Sequence, residues 1–352
     1  MSSQKLVTTP MERSQIMDIF RIILCLGVVV YHYTPERCST GPLMVNGFLV
    51  MSGFLVGASV FSAKGLNVHH FFNSKCRRLL PMFLLALLFG IVAHVLNGAY
   101  LPTWTAQKWG SFDIVTFISF YNVPLWYMVV EFTMLLLVPF FVFLASARWR
   151  LEICTLLLML TSLLLFSRVP ENAPFGEGLY YSPIARCWQF MLGLSSAKIL
   201  SSINIVKLTL NPTLRFTKWI LFSIFCIVSI LLMFTKQAKD LNYWNYTFSF
   251  DFITTVYFAI LVPLLYITKN KTTIITPLIT KLSILTYPIY LIHKIVEGCC
   301  DFIANKLTDA PPYIIIALSA AILSITGAFV LLYIDNKLQQ YLKPRQSKNS
   351  NI

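Results

Sequence analysis

Gln15-Ile-Met-Asp-Ile-Phe-Arg-Ile-Ile-Leu-Cys-Leu-Gly-Val-Val-Val-Tyr-His-Tyr-Thr-Pro35 carries only three ionisable side chains of consequence, Asp18, Arg21 and His32, in an otherwise apolar run. A helix of that length crosses a hydrocarbon core of roughly 30 Å. Polar residues precede it, it exceeds the core of a signal peptide, and no small-residue cleavage site follows, so it is expected to remain as a first membrane span. Nine further apolar runs follow, at about 43–62, 80–100, 124–145, 151–168, 184–200, 217–235, 248–268, 278–299 and 313–335. Phe112–Phe120 is also apolar but too short to cross as a helix, so it is expected to be re-entrant or interfacial.

Composition agrees with the runs. Of 352 residues, 57% are hydrophobic and 12% charged, too little charge to cover a water-facing surface. The expected fold class is all-α: a polytopic transmembrane helical bundle of about ten spans. A net charge of +14 is compatible with nucleic-acid binding, but loop cations that orient spans explain it better. With the N-terminus cytoplasmic, Lys5, Arg13, Lys64, Lys75, Arg77, Arg78, Arg148, Arg150, Lys198, Lys207, Arg215, Lys218, Lys269, Lys271, Lys281, Lys337, Lys343, Arg345 and Lys348 fall on the inner side. Arg37, Lys108, Arg168, Arg186, Lys236, Lys239, Lys294 and Lys306 fall on the outer side. Ten spans then place both termini in the cytoplasm, with 1–14 as an N-terminal segment and 336–352 as a basic tail. The eight cysteines show no metal-site spacing. Most read as small apolar core residues, with a Cys38 disulfide to Cys299 or Cys300 as a minor alternative.

Charges inside spans are costly and must face a cavity or a partner. Arg21 and His32 are eleven residues apart, about 20° beyond three full helical turns, so they share one face about 16 Å apart along the axis. Either they form a polar stripe through the helix, or Arg21 pairs with Asp18 and snorkels while His32 sits at the interface. Glu131 sits about a turn and a half into its span, and is expected to be neutral, paired or in a wet cavity. Arg186 and Asp251 are expected at the starts of their spans, and His293 follows the helix-disturbing Pro288. The topology groups His32, Glu131, Arg186 and His293 towards the outer face, and Arg21, Lys75, Arg77 and Arg78 towards the inner.

These residues carry a resemblance. Arg21 to His32 resembles the R-x10-H first helix of the acyltransferase-3 family, and Phe48-Leu-Val-Met-Ser-Gly-Phe-Leu-Val-Gly57 resembles its second helix. Phe71 to Pro81 resembles its basic loop, and Trp126-Tyr-Met-Val-Val-Glu131 with Leu135 to Pro139 follows its W-S-L-x-x-E spacing. Arg186-Cys-Trp-Gln-Phe-Met-Leu-Gly193 and Thr286-Tyr-Pro-Ile-Tyr-Leu-Ile-His293 resemble two further elements, in family order. Lys75 stands where an arginine is usual, Tyr127 where serine is, and Gln189 where an acid is common. The chain resembles the stand-alone form, without the extra esterase-like domain.

The resemblance implies a transmembrane acyltransferase domain over 15–335, in a bacterial inner membrane. It would move an acyl group, usually acetyl, from acetyl-CoA or another cytoplasmic acyl-CoA to a hydroxyl of an envelope glycan such as O-antigen, lipopolysaccharide or capsule. No bound cofactor, metal or nucleic-acid partner is expected. The residues suit that job. Arg21, Lys75, Arg77 and Arg78 can hold the anionic donor. His32 can act as general base, or less directly as acyl carrier, with Glu131 orienting it and Arg21 between the two faces. Arg186, His293, Trp126 and Tyr290 are expected on the acceptor side, Arg186 as an oxyanion or Glu131 partner. A transporter or flippase would also place charges inside spans.

Overall fold

The computed structural model describes residues 15–34, 38–62, 66–96, 114–167, 180–203, 211–234, 243–267, 274–307 and 313–342. The segment 1–14, the end of the basic tail (343–352) and the loop cations Arg37, Lys64, Lys108, Arg168, Lys207, Lys236, Lys239, Lys269 and Lys271 lie outside them. Among the described residues there are eleven α-helices and no strand. They are α1 (Gln15–Tyr33), α2 (Gly41–Ser62), α3 (Val68–Leu96), α4 (Ile114–Tyr121), α5 (Leu125–Ala145) and α6 (Arg150–Ser167), followed by α7 (Pro183–Ser201), α8 (Pro212–Met233), α9 (Tyr243–Tyr266), α10 (Thr276–Leu307) and α11 (Tyr313–Leu342).

Every expected span falls on a helix, and the short piece near 112–120 is α4. By length and composition seven helices, α1, α2, α3, α5, α6, α8 and α11, can cross a membrane, and α9 has a shorter apolar stretch at Phe250–Tyr266. α7 and α10 are more polar because they carry side chains for the internal networks described below. The lipid-facing layer is visible in exposed Leu84, Leu88 and Val92 of α3, Leu136 and Phe140 of α5, and Leu156, Leu160 and Leu164 of α6. In water such an apolar surface would be untenable.

Two expectations about helix limits change. The basic stretch Phe71–Pro81 is not a loop: α3 begins at Val68 and runs through Pro81. Lys75, Arg78, Leu79 and Met82 therefore follow the i, i+3, i+4, i+7 rule and share one face. Asp251 does not begin a helix either, since α9 starts two turns earlier at Tyr243.

The centre is the crossing of α2 and α7, the most extensive helix contact among the described residues. Its closeness depends on two glycines. A Cβ at Gly53 would lie 2.0 Å from the Phe190 carbonyl oxygen, and one at Gly193 would lie 2.2 Å from the Val50 carbonyl oxygen. The two backbones touch where neither can carry a side chain, as small residues allow between membrane helices. Around this crossing pack α9, α5 and α6, while α1 joins α2 to α10, and α10 joins α11 and α3.

Candidate functional site

α1 and α10 run side by side in the same direction, and their contacts ascend together. Arg21 Nη1 donates to Ser283 Oγ (3.1 Å), Cys25 Sγ to the Thr286 carbonyl (3.3 Å), and the His32 ring lies 5.1 Å from the His293 ring. Arg21 and His32 thus both face α10. Arg21 also pairs with Asp18 (3.1 Å), which accepts from Ser283 Oγ (2.8 Å). The pairing and the stripe are therefore compatible, since Arg21 still lines the cavity beside it.

That cavity has a volume of about 1130 Å³ and lies among α1, α2, α3, α5, α10 and α11. One side is cationic: Arg21, Lys75, Arg77 and Arg78 line it, with His70 and the polar Asn73 and Ser74 of α3. Deeper in stand Ser52, Glu131, Tyr127, Thr286, Tyr287 and Tyr290. Glu131 is 8% exposed; it accepts a short hydrogen bond from Ser52 and lies 3.5 Å from Tyr127 Oη. A buried carboxylate needs such donors and nearby cations, because water no longer solvates it. Tyr290 Oη donates to the Pro124 carbonyl (2.8 Å), which ties α10 to the start of α5, and Tyr287 Oη donates to Leu79 of α3 (2.8 Å). Asp335 and Gln339 of α11 complete the cationic end, where Gln339 donates to the Arg77 carbonyl.

Beyond Tyr290, off the cavity lining, the rings form a file. Tyr290 stands 5.9 Å from His293, His293 5.1 Å from His32, and His32 5.1 Å from Tyr31. His293 is fully buried. Its Nδ1 lies 2.8 Å from the Tyr290 carbonyl, and its backbone is gripped by Tyr33, whose Oη lies 3.1 Å from the His293 carbonyl and 2.6 Å from Ser324 Oγ of α11.

Arg186 and Asp251 belong elsewhere. Arg186, 1% exposed, pairs with Asp251 (2.6 Å), donates to the Tyr180 carbonyl (2.9 Å), and has its guanidinium 4.1 Å from the Tyr180 ring centre. Asn46 donates to Asp251 (2.8 Å) and Thr254 (2.8 Å), and Gln189 donates to Asn46 (2.8 Å) and Thr255 (3.2 Å). This is a buried polar bolt joining α2, α7 and α9. Gln189 suits it because its amide both donates and accepts, which a carboxylate at that position could not do.

The structure thus redraws the grouping expected from sequence. Arg21, Lys75, Arg77, Arg78 and Glu131 line one cavity; His32 and His293 stand together next to it. Glu131 is not with His32 but inside the cavity that the cations line, and Arg186 holds Asp251 rather than Glu131. Trp126, expected at an acceptor surface, is 5% exposed and packs between Tyr180 and Tyr181 (5.4 and 5.1 Å). Cys38, Cys299 and Cys300 are free thiols, as are the other five. Ser52 and Asp335 were not singled out from sequence. Asp335 could have been: it is an acid in an apolar run that continues as helix to Leu342. Among the described residues no three His, Cys, Asp or Glu side chains cluster as a metal site.

Comparison with known proteins adds three findings. A sequence model described as "Acyltransferase domain" matches residues 15–333. A protein of Bacillus subtilis (strain 168) named "Putative peptidoglycan O-acetyltransferase YrhL" is 25% identical over 256 residues, which cover 64% of this chain and 40% of that protein. The match thus spans well under half of that relative's length. No solved structure matches.

Proposed function

The chain is a multi-pass membrane protein that belongs to the acyltransferase-3 family, and from that premise we propose that it is an O-acyltransferase moving an acyl group from a cytoplasmic acyl-CoA to a glycan hydroxyl. The observation that carries the reading is the cavity itself. It joins a cationic mouth to a buried polar interior, and its inner end abuts a histidine pair. A nucleotide thioester is anionic at one end and narrow and uncharged at the other, and that polarity matches the cavity's.

Arg77, Arg78, Lys75 and Arg21 would hold the donor phosphates. Arginine offers a planar fork for phosphate oxygens, and Lys75 a point charge. The arm would pass Ser52, Glu131 and Tyr127 and bring its thioester past Tyr290. His32 takes the proton of the acceptor hydroxyl, whose oxygen attacks the thioester carbonyl carbon. The new C–O bond forms as C–S breaks, and the proton passes on to the departing thiolate, so His32 ends as it began. Glu131 here serves the donor cavity, not His32. Acetyl is the proposed acyl group, and an envelope glycan the proposed acceptor, a reading supported by the Bacillus subtilis relative named for peptidoglycan O-acetylation. The basic-loop asymmetry supports a cytoplasmic cationic mouth in a bacterial inner membrane.

Labelled acetyl-CoA and base-deacetylated host envelope glycan, mixed with the reconstituted protein, test the proposal. His32→Ala should lower label transfer by about 10²–10⁴-fold, the contribution of a general base, while the protein inserts and folds normally. Arg78→Ala should raise the donor KM about tenfold or more, the loss expected for a charge-assisted hydrogen bond. Wild-type transfer by His32→Ala would remove it as the base. Movement of unmodified glycan without label transfer would make the protein a transporter.

A further inference from the structure

His293 is a fully buried titratable group that this chemistry leaves unused, and its geometry is specific. Its Nδ1 lies 2.8 Å from the Tyr290 carbonyl oxygen and 3.3 Å from that of Ile289. A carbonyl oxygen only accepts, so Nδ1 carries the ring proton and Nε2 presents a lone pair. That Nε2 is buried and has no hydrogen-bond partner among the described residues. An orphan acceptor in a closed site needs a reason, because leaving it unpaired costs stability.

The neighbour that can supply a proton is the His32 ring, 5.1 Å away between centres at a tilt of 46°. Two imidazoles turned nitrogen to nitrogen at that separation come within hydrogen-bond range, about 3 Å. Tyr33 and Tyr290 enclose His293 from its other sides, at 6.2 and 5.9 Å between ring centres. Neither is placed to donate to Nε2. Tyr33 Oη is engaged with Ser324 and backbone carbonyls, and Tyr290 Oη with Pro124. At 0% exposure His293 is closed to a glycan hydroxyl, so it is not a second base.

We propose that His293 is the positioning residue of His32: its Nε2 accepts a ring N–H of His32 as the acyl group moves. The bond fixes which His32 nitrogen is free to take the acceptor proton, and it steadies the imidazolium that forms. This is the role an orienting carboxylate plays in a hydrolase triad, performed by a neutral imidazole locked to the backbone. A neutral partner fits this depth, where a carboxylate would need further donors. The inference rests on the acyl-transfer reading, with His32 as base.

The test uses the full chain in lipid discs, acetyl-CoA labelled in the acetyl group and base-deacetylated host envelope glycan. His293→Leu and His293→Gln fill similar space, and only Gln keeps an acceptor oxygen. His293→Leu should lower kcat by 10²-fold or more with the acetyl-CoA KM within about twofold of wild type, and His293→Gln should regain at least tenfold of that loss. In a His32→Ala background, His293→Leu should cost nothing further. A Leu variant within threefold of wild type overturns the inference. So does a Gln variant no better than Leu, or a His293→Leu loss that persists without His32. Should the Leu variant fail to fold, the Gln variant within the same His32 cycle decides alone, by whether its loss vanishes without His32. Absence of label transfer by the folded wild-type protein would instead sink the acyl-transfer reading, a different result from any of these.

Discussion

At the scale of single residues, the pair Arg186–Asp251 shows how a position can satisfy a family spacing while its side chain is taken up in a buried polar network. Its guanidinium is buried at the α2–α7–α9 junction, 2.6 Å from Asp251, with Gln189 and Asn46 completing the network. Removing one partner leaves a buried charge unmatched, which costs about 3–5 kcal/mol. Asp251→Ala and Arg186→Ala should therefore each lower the unfolding temperature in detergent sharply, and the double variant should lose less than the two losses added. The donor KM of whatever protein remains folded should stay at the wild-type value. A folded Arg186→Ala protein with a raised KM would return Arg186 to the reaction site. The sequence made Arg21 and Glu131 legible because a charge among apolar residues demands a reason wherever it occurs, and Lys75, Arg77 and Arg78 legible through the basic motif they form on the inner side. It could not make their partners legible. Ser52 is neutral and raises no such alarm, and Glu131, its partner, lies 79 positions away. Asp335 differs, since an acid in an apolar run that continues as helix to Leu342 carries the same signal as Glu131.

At the scale of helices, existence was readable and limits were not. Twenty apolar residues announce a span, but nothing in that count says whether a polar flank continues as helix. α3 shows the consequence: its basic residues extend a transmembrane helix instead of forming a loop, so one helix face delivers Lys75 and Arg78 to the cavity. The α1–α10 ladder was half legible. The eleven-residue spacing placed Arg21 and His32 on one face, while the helix that face meets is 260 or so positions distant. The α2–α7 crossing is the joint most exposed to substitution, because backbone meets backbone there. Gly53→Ala should push a methyl against the Phe190 carbonyl, an obstacle no rotamer change can relieve. Overpacking of that kind costs about 1–3 kcal/mol, and rigid backbone neighbours place it at the upper end. Gly298→Ala is the matched control, since a Cβ there meets nothing within 4 Å. Thermal unfolding should separate the two variants; equal stability would mean that α2 and α7 do not pack as closely as described.

At the scale of the whole molecule, the question is which membrane face the cationic mouth opens on, and native cysteines can answer it. Cys76 is exposed on α3, between Lys75 and Arg77 at the rim of the cavity. Cys299 and Cys300 are partly exposed on α10, six and seven positions beyond His293. Arg21 and His32 mark opposite ends of the same helix pair, so the two cysteine groups report on opposite faces if the bundle spans the bilayer as read. Loop cations accumulate on the cytoplasmic side of membrane proteins, and the stretches bounding α3 and α11 at the Arg78 and Lys337 ends are rich in them. A membrane-impermeant maleimide should therefore label Cys76 in inverted vesicles but not in right-side-out ones. Cys299 and Cys300 should show the reverse preference, and Cys76→Ala assigns the first signal. Acyl-CoA should slow labelling of Cys76 only, because its phosphates would sit over the same rim. Labelling of Cys76 from the outside would put the donor cavity on the wrong face for a cytoplasmic acyl-CoA, and with it would go the transmembrane transfer.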